Sequence, residues 1–461
     1  MRNQNNKIFA NVDRGLLIVY ILLVVLGISN IYSSVYDPEK PGLFNLSTEH
    51  GKQIMWLGVA LFLGAIIFLL ESNFIRKYAY WIYGFTMLLL VAVLFTKPIH
   101  GARSWFGFGG VGIQPSEFAK IGVALALARF IDINTHSKER NRIRKNSGLA
   151  TLWGIIPFIS KNKETALILG IPCALVLLQP DAGTFIIFTS FILVLYREGY
   201  AGNILLFILI AIIIAFITLL VADSSFLLPF TIIKVSGKTG IIITLIIITG
   251  LFALIINSFV LKRNRKSLYQ SLFGSFIIAV IFVNFVELGY TNVLQTHQKT
   301  RIDLLLGKID DPDGKGYNIN RAKAAIGSGG FIGKGYQSAT LANASQRHVP
   351  MQSTDFIFCT WSEERGFIGS FILIGLYTFL LLKMVVIAER QRSVFTRVYA
   401  YCVASIFFYH FMINVGMAIG LAPVIGIPLP FFSYGGSSMM SFSVLLFILL
   451  KLDSERKIVL Q

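Results

Sequence analysis

The chain has 461 residues, 55% of them hydrophobic and 14% charged, with a mean hydropathy of +0.70. Soluble domains carry roughly 25% charged residues, so the composition excludes an ordinary soluble protein, and recurring apolar runs of about 20 residues make this an all-α polytopic membrane protein. The net charge of +18 does not point to nucleic acid, because cytoplasmic loops of membrane proteins are basic in any case.

The first apolar run begins near Leu16 behind Arg2, Lys7 and Arg14. No small-residue cleavage pattern follows it, so it reads as a retained helix. In chain order the apolar periods predict about twelve spans, with cores at 16–33, 53–70, 74–95, 117–133, 165–179, 182–196, 203–222, 241–260, 271–287, 355–383, 397–420 and 437–450. The basic clusters then set the orientation. With the N-terminus inside, Lys138 to Lys163, Lys262 to Lys266, Arg390 to Arg397, and Arg456 with Lys457 all fall on the cytoplasmic side. Both termini are expected there, with 134–164 as a basic cytoplasmic loop. The external segments are 96–116, the turn Gln179-Pro180-Asp181, the large loop 289–354, and 420–436. The whole is expected to be one integral membrane domain. Cys173, Cys359 and Cys402 lie far apart inside apolar runs, which suits packing rather than a disulfide framework or metal site.

Polar signals concentrate outside. Gln352-Ser353-Thr354-Asp355-Phe356 places a carboxylate at the threshold of an apolar run, where charge is costly and therefore a functional candidate. Thr354 is expected to cap a helix that Asp355 begins. The positive helix end and partial burial would make Asp355 a general base that is ionised yet able to take a proton. Glu363 and Glu364, two turns deeper, suit helix packing or a water-filled cleft. Ahead of Gln114-Pro115-Ser116-Glu117 lies Arg103-Ser104-Trp105; Pro115 suits a first helical turn. Glu117 and Lys120 are i,i+3 and can pair on one face, either locking helix packing or lining a cavity. Lys299, Arg301, Lys308, Lys315, Arg321, Lys323, Lys334 and Arg347 crowd the long loop. They form either a solvated surface or a clamp for an anionic group such as pyrophosphate. Gly327 to Gly335 nearly spells a P-loop but lacks its first Gly and its final Ser/Thr. Gly426-Ile427-Pro428-Leu429-Pro430 through Ser437-Ser438 is irregular backbone before the last span, tolerated only against protein or a water-filled cavity.

In this order, these segments resemble the SEDS family (shape, elongation, division and sporulation proteins). The matching stretches are Arg103–Trp105, the Gln114 to Lys120 block, Leu178-Gln179-Pro180-Asp181-Ala182-Gly183-Thr184, Asp311-Pro312-Asp313-Gly314 with Gly316-Tyr317, Ala325 to Gly330, Thr354 to Phe358 with Glu363-Glu364, and Pro428 to Ser438. Gly426-Ile427-Pro428-Leu429-Pro430 is similar to the elongation-type RodA branch more than to the division-type FtsW branch. The resemblance implies a SEDS-type helical bundle of about ten helices, which an extra pair within 223–266 raises to about twelve here. It also implies a peptidoglycan glycosyltransferase in the bacterial inner membrane that polymerises lipid II on the external side, with a class B penicillin-binding protein as transpeptidase partner among the elongation machinery. By the same resemblance Asp355 is the catalytic carboxylate, and Trp105, Glu117 and Lys120 belong to the central cavity. Arg103, Lys334, Arg347 and Ser437 complete the expected substrate cavity. Ser353 stands where relatives commonly carry His, and His348 upstream need not replace it.

In the implied reaction Asp355 deprotonates the acceptor 4-hydroxyl and undecaprenyl pyrophosphate leaves. Without a His/Cys cluster in the sequence, any metal would be Mg2+ or Mn2+ held weakly on oxygens. A lipid II flippase and a non-catalytic scaffold of the cell-wall machinery are the alternative readings.

Overall fold

The computed structural model describes residues 12–36, 44–97, 103–108, 111–141, 163–199, 204–221, 225–227, 234–260, 262–293, 317–342 and 351–456, with the isolated positions 42, 299 and 303. Arg347, His348, the 311–316 motif and the basic run 142–162 lie outside them. Each predicted span falls on helical residues, and among the described residues seven helices are long and apolar enough to cross a membrane.

The described residues form two compact units, residues 1–144, 164–194 and 312–461 in one and 145–163 and 195–311 in the other. The first contains α1 (Arg14–Ser34), α2 (Glu49–Leu69), α3 (Ser72–Val93) and a short hairpin of β1 (Phe106–Phe108) and β2 (Val111–Ile113). Then come α4 (Pro115–Asn141), α5 (Lys163–Leu178) and α6 (Ala182–Thr189). Short α7 (Phe191–Arg197) leads into the second unit, which holds α8 (Ile204–Val221), the hairpin of β3 (Ser225–Leu227) with β4 (Lys234–Ser236), α9 (Gly237–Phe259) and α10 (Lys262–Leu288). In it α10 packs on α8 and α9. Residues 223–266, the expected insertion, thus hold the β3–β4 hairpin, α9 and the start of α10. The chain returns to the first unit with α11 (Tyr317–Ser328), α12 (Ile357–Glu389), α13 (Val394–Ile419) and α14 (Gly436–Ser454).

Local chemistry sets several of these boundaries. Asp13 caps α1 by accepting from Leu16 N at 3.0 Å, and Asp181 caps α6 by accepting from Thr184 N at 3.0 Å. Pro115 opens α4 as expected, because the first turn needs no N–H there. The cap assigned to Thr354 is corrected. Residues 351–356 form a turn, α12 starts at Ile357, and Phe356 occupies the cap without a side-chain hydrogen bond. The N–H groups of Thr354, Asp355 and Phe356 all donate to Met351 O (3.2, 3.1 and 3.2 Å), and this local closure outcompetes a helical start. Two further differences concern continuity. The run 182–196 breaks at Ser190 into α6 and α7, and the long loop contains α11.

In the first unit α3 packs on α4, α2 on α14, α12 on α13 and α13 on α4. Helix α14 is its centre: 83% of its apolar window is buried, so it is a core element. Helix α12 kinks at Gly366, whose φ of 63° is open to glycine alone at little cost. The bend lets residues 329–335 dock on it, Phe367 N donating to Gly330 O at 2.9 Å and Lys334 N to Glu363 O at 3.0 Å.

Candidate active site

The turn 351–356 presents Asp355 partly exposed, between buried Ser353 and buried Phe356. Its backbone is fixed from below. Asn414 Nδ2 on α13 donates both to Asp355 O (2.9 Å) and to Ile427 O (2.7 Å). Ser433 Oγ donates to Thr354 O (2.6 Å) and accepts from Leu429 N (2.8 Å), while Tyr434 N donates to Ser353 O (2.9 Å). Gln53 on α2 closes the other side, donating to Ser433 O (3.3 Å) and accepting from Gly435 N (3.0 Å). Residues 426–435 are therefore a strap through the bundle, satisfied by side chains rather than by a ladder, as irregular backbone at this depth requires. Gly426 has φ 79°, and a Cβ placed there would sit 3.3 Å from Asp355 Oδ2. The strap thus lies directly beside the carboxylate, and only glycine leaves that space open.

Beneath the strap lies a buried charge cluster. Lys120 Nζ donates to Glu117 Oε2 (2.9 Å) and approaches His410 Nε2 at 2.8 Å. His410 Nδ1 lies 3.1 Å from Pro428 O, which can only accept, so Nδ1 carries the proton and Nε2 accepts from the lysine. Ser441 Oγ donates to Glu117 Oε2 at 2.8 Å, and the Lys120 ammonium stands 4.7 Å from the centre of the Phe442 ring. Burial of this pair is tolerable because each charge is paired and hydrogen-bonded. The expected Glu117–Lys120 pair is thus present, as an element of the core.

Ser437 opens α14 and accepts from Gln114 N at 3.0 Å, tying the start of α4 to the end of the strap. Gln114 Nε2 donates to Asp181 Oδ2 at 2.9 Å, joining the α6 cap to the same assembly. In the hairpin the Trp105 ring covers Gly112, whose O lies 3.4 Å from Ser437 Oγ. Arg103 is exposed and donates to Leu94 O at 3.2 Å.

Lys334 stands elsewhere. Its Nζ donates to Glu363 Oε1 at 2.5 Å and to Thr340 Oγ1 at 2.7 Å. Glu363 also accepts from the N–H groups of Thr340, Leu341 and Ala342 (2.9, 3.0 and 2.8 Å). Glu364 accepts from Ser33 Oγ, from Gln337 N (3.0 Å) and from Arg365 (3.2 Å). This carboxylate pair anchors the 329–342 loop on α12, and Lys334 belongs to that anchor.

His410 and Asn414 escaped the sequence reading. They are four residues apart on one face of an apolar helix, and polar groups so placed within a span signal a buried role. Among the described residues no group of three or more His, Cys, Asp or Glu is placed to hold a metal ion.

The family model for FtsW, RodA and SpoVE, described as a cell cycle protein, matches residues 13–230 and 226–458. The chain is 30% identical over 465 residues to the peptidoglycan glycosyltransferase RodA of Treponema pallidum (strain Nichols), covering 96% of this chain and 98% of that one. It is 28% identical to the peptidoglycan glycosyltransferase MrdB of Escherichia coli (strain K12), covering 99% and 98%. A chain in a structure of a peptidoglycan synthase complex that coordinates polymerization and crosslinking superposes with a TM-score of 0.63 at 25% identity, covering 97% of this chain and 99% of that one. The crystal structure of the rod shape determining protein RodA of Thermus thermophilus shares the fold, with a TM-score of 0.53 at 22% identity and coverage of 97% and 98%. With its buried Glu117–Lys120–His410 cluster under a strap that borders Asp355, this multi-pass membrane protein belongs to the FtsW/RodA/SpoVE family.

Proposed function

We propose that the chain is an inverting peptidoglycan glycosyltransferase that polymerises lipid II during cell elongation, in the inner membrane, with Asp355 on the external side and both termini cytoplasmic. The observation that carries this reading is the environment of Asp355. Its carboxylate lies at a partly exposed turn beside Gly426, whereas Glu117, Glu363 and Glu364 are buried. The relatives named as peptidoglycan glycosyltransferases support it.

In this reading Asp355 takes the proton of the acceptor GlcNAc 4-hydroxyl. That oxygen forms a bond to the anomeric carbon of the donor MurNAc. The bond from this carbon to the pyrophosphate oxygen breaks, and its electron pair leaves on undecaprenyl pyrophosphate. A pyrophosphate leaving group needs charge neutralisation rather than a second carboxylic acid. Lys120 and Lys334 are held by Glu117 and Glu363, and exposed Arg103 and the other cations of the 289–354 loop are the candidates to meet it. The strap and its bonds to Asn414 keep the base in position, which is how a general base contributes about 10²–10⁴-fold. A class B penicillin-binding protein is the partner that would crosslink the product, as polymerization and crosslinking are coordinated in the similar synthase complex.

The test is lipid II polymerisation by the purified protein with that partner. Asp355→Asn and Asp355→Ala are expected to fall by about 10²–10⁴-fold while retaining the wild-type melting temperature. Wild-type rates in both variants would remove Asp355 from the chemistry.

A further inference from the structure

At the end of the first unit away from Asp355, four helix ends meet: the start of α3, the end of α12, the start of α13 and the end of α14. Between them lies a cavity of about 80 Å³ lined by Ser72, Arg76, Arg392, Ser393, Thr396, Glu455 and Arg456 among others. One water needs roughly 10–15 Å³ by this measure, so the space suits a small polyatomic group. Arg76, Arg392 and Arg456 supply guanidinium groups, which match phosphate oxygens in a planar fork.

The start of α13 opens into this cavity. The N–H groups of its first turn have no acceptor within the helix, and Ser393 at the cap gives no side-chain hydrogen bond. Thr396 is 5% exposed and lines the cavity, and its hydroxyl makes no hydrogen bond to any described residue. That hydroxyl is therefore available to donate to or accept from a group in the cavity. One carboxylate also lines the site. Glu455 is answered by Lys451 at 2.7 Å and by Ser72 N at 3.2 Å, so it does not cancel the arginines. Arg76 and Arg456 are oriented by Asp132 (2.6 Å) and Asp453 (2.9 Å), while Arg392 is exposed at the rim.

We propose that this cavity is a binding site for a phosphate group, held by the first turn of α13, the Thr396 hydroxyl and the guanidinium of Arg392. It is separate from the glycosyltransferase site and does not depend on that reading. The chemistry is shared by an anionic phospholipid headgroup and by free phosphate. Its place at the ends of apolar helices brings it level with headgroups, which favours the lipid.

The experiment uses the full chain in maltoside micelles without phosphate, titrated in separate arms with short-chain phosphatidylglycerol and with inorganic phosphate, and reads the melting temperature. A saturable rise in wild type, with affinity weakened about tenfold in Arg392→Gln and in Thr396→Val, is the expected result for loss of one charge-assisted or one buried hydrogen bond. A rise in the lipid arm alone identifies the headgroup, and a rise in both identifies the phosphate group itself. Arg392 is at the surface, so its variant stays folded even if Thr396→Val does not. No rise in either arm, or a rise undiminished in Arg392→Gln, overturns the proposal.

Discussion

The Lys120 side chain is 1% exposed, and its charge is answered by the Glu117 carboxylate, the His410 imidazole and the face of Phe442. Removing one partner of a buried pair costs about 3–5 kcal/mol because the other charge stays buried, whereas replacing both is far milder. Lys120→Met and Glu117→Gln are each expected to lower the melting temperature sharply, and the double variant to lie well above the sum of the two losses. Thermal denaturation of all four proteins checks this, and strict additivity would mean the two charges do not act as a pair. At this scale the i,i+3 pair is legible in the spacing of Glu117 and Lys120, but what it faces is not. His410 approaches it only when α13 packs on α4, a contact separated by 290 residues in the chain.

Among the elements, the 329–342 loop is held by α12 rather than by its own composition. Glu363 gathers three consecutive backbone N–H groups and the Lys334 ammonium. Glu363→Gln removes the charge that these donors share, so amide hydrogen exchange of residues 337–342 should accelerate by at least about tenfold, one to a few lost charge-assisted bonds. Exchange in α1 and α14 is expected to stay unchanged. If residues 337–342 exchanged at the wild-type rate, the loop would owe its order to something else. The helices themselves were legible from apolar periods, and α4 from Pro115. The late start of α12 was not, because the carbonyl of Met351 collects three N–H groups in a turn that no propensity forecasts. The glycine-rich run that nearly spells a P-loop proves to be backbone docked on the kink at Gly366.

Across the molecule, the first unit closes one end with ion pairs. Arg390 bridges Asp13 (3.0 Å) and Asp453, Arg456 also binds Asp453 (2.9 Å), and Arg76 and Arg129 share Asp132. Burial raises the Asp13 carboxyl pKa, but the Leu16 N–H with Lys383 and Arg390 outweigh it, so the group lies below its ordinary value of 3.8. Burial likewise raises Glu455, and Lys451 and Ser72 outweigh it, leaving it below 4.5. A carboxyl whose pKa is depressed on folding stabilises the fold above its unfolded value and loses that contribution as pH falls through the folded one. The melting temperature should therefore be flat from neutrality to about pH 5 and drop below about pH 4, with a smaller drop in Asp13→Asn. An acid profile unchanged by that substitution would show that Asp13 carries none of the linkage.

The sequence by itself determined that the chain is a polytopic membrane protein, where its apolar helices lie, and that Glu117 and Lys120 can pair. Those facts follow from hydropathy, spacing and the cost of charge near lipid, all of which act locally. Tertiary structure alone decided that Lys334 pairs with Glu363, that His410 bonds the strap and Asn414 the turn holding Asp355, and that four helix ends enclose an arginine-lined cavity. Each of these depends on which distant side chain meets a buried polar group, and that is settled by the packing of helices, not by the residues next in the chain.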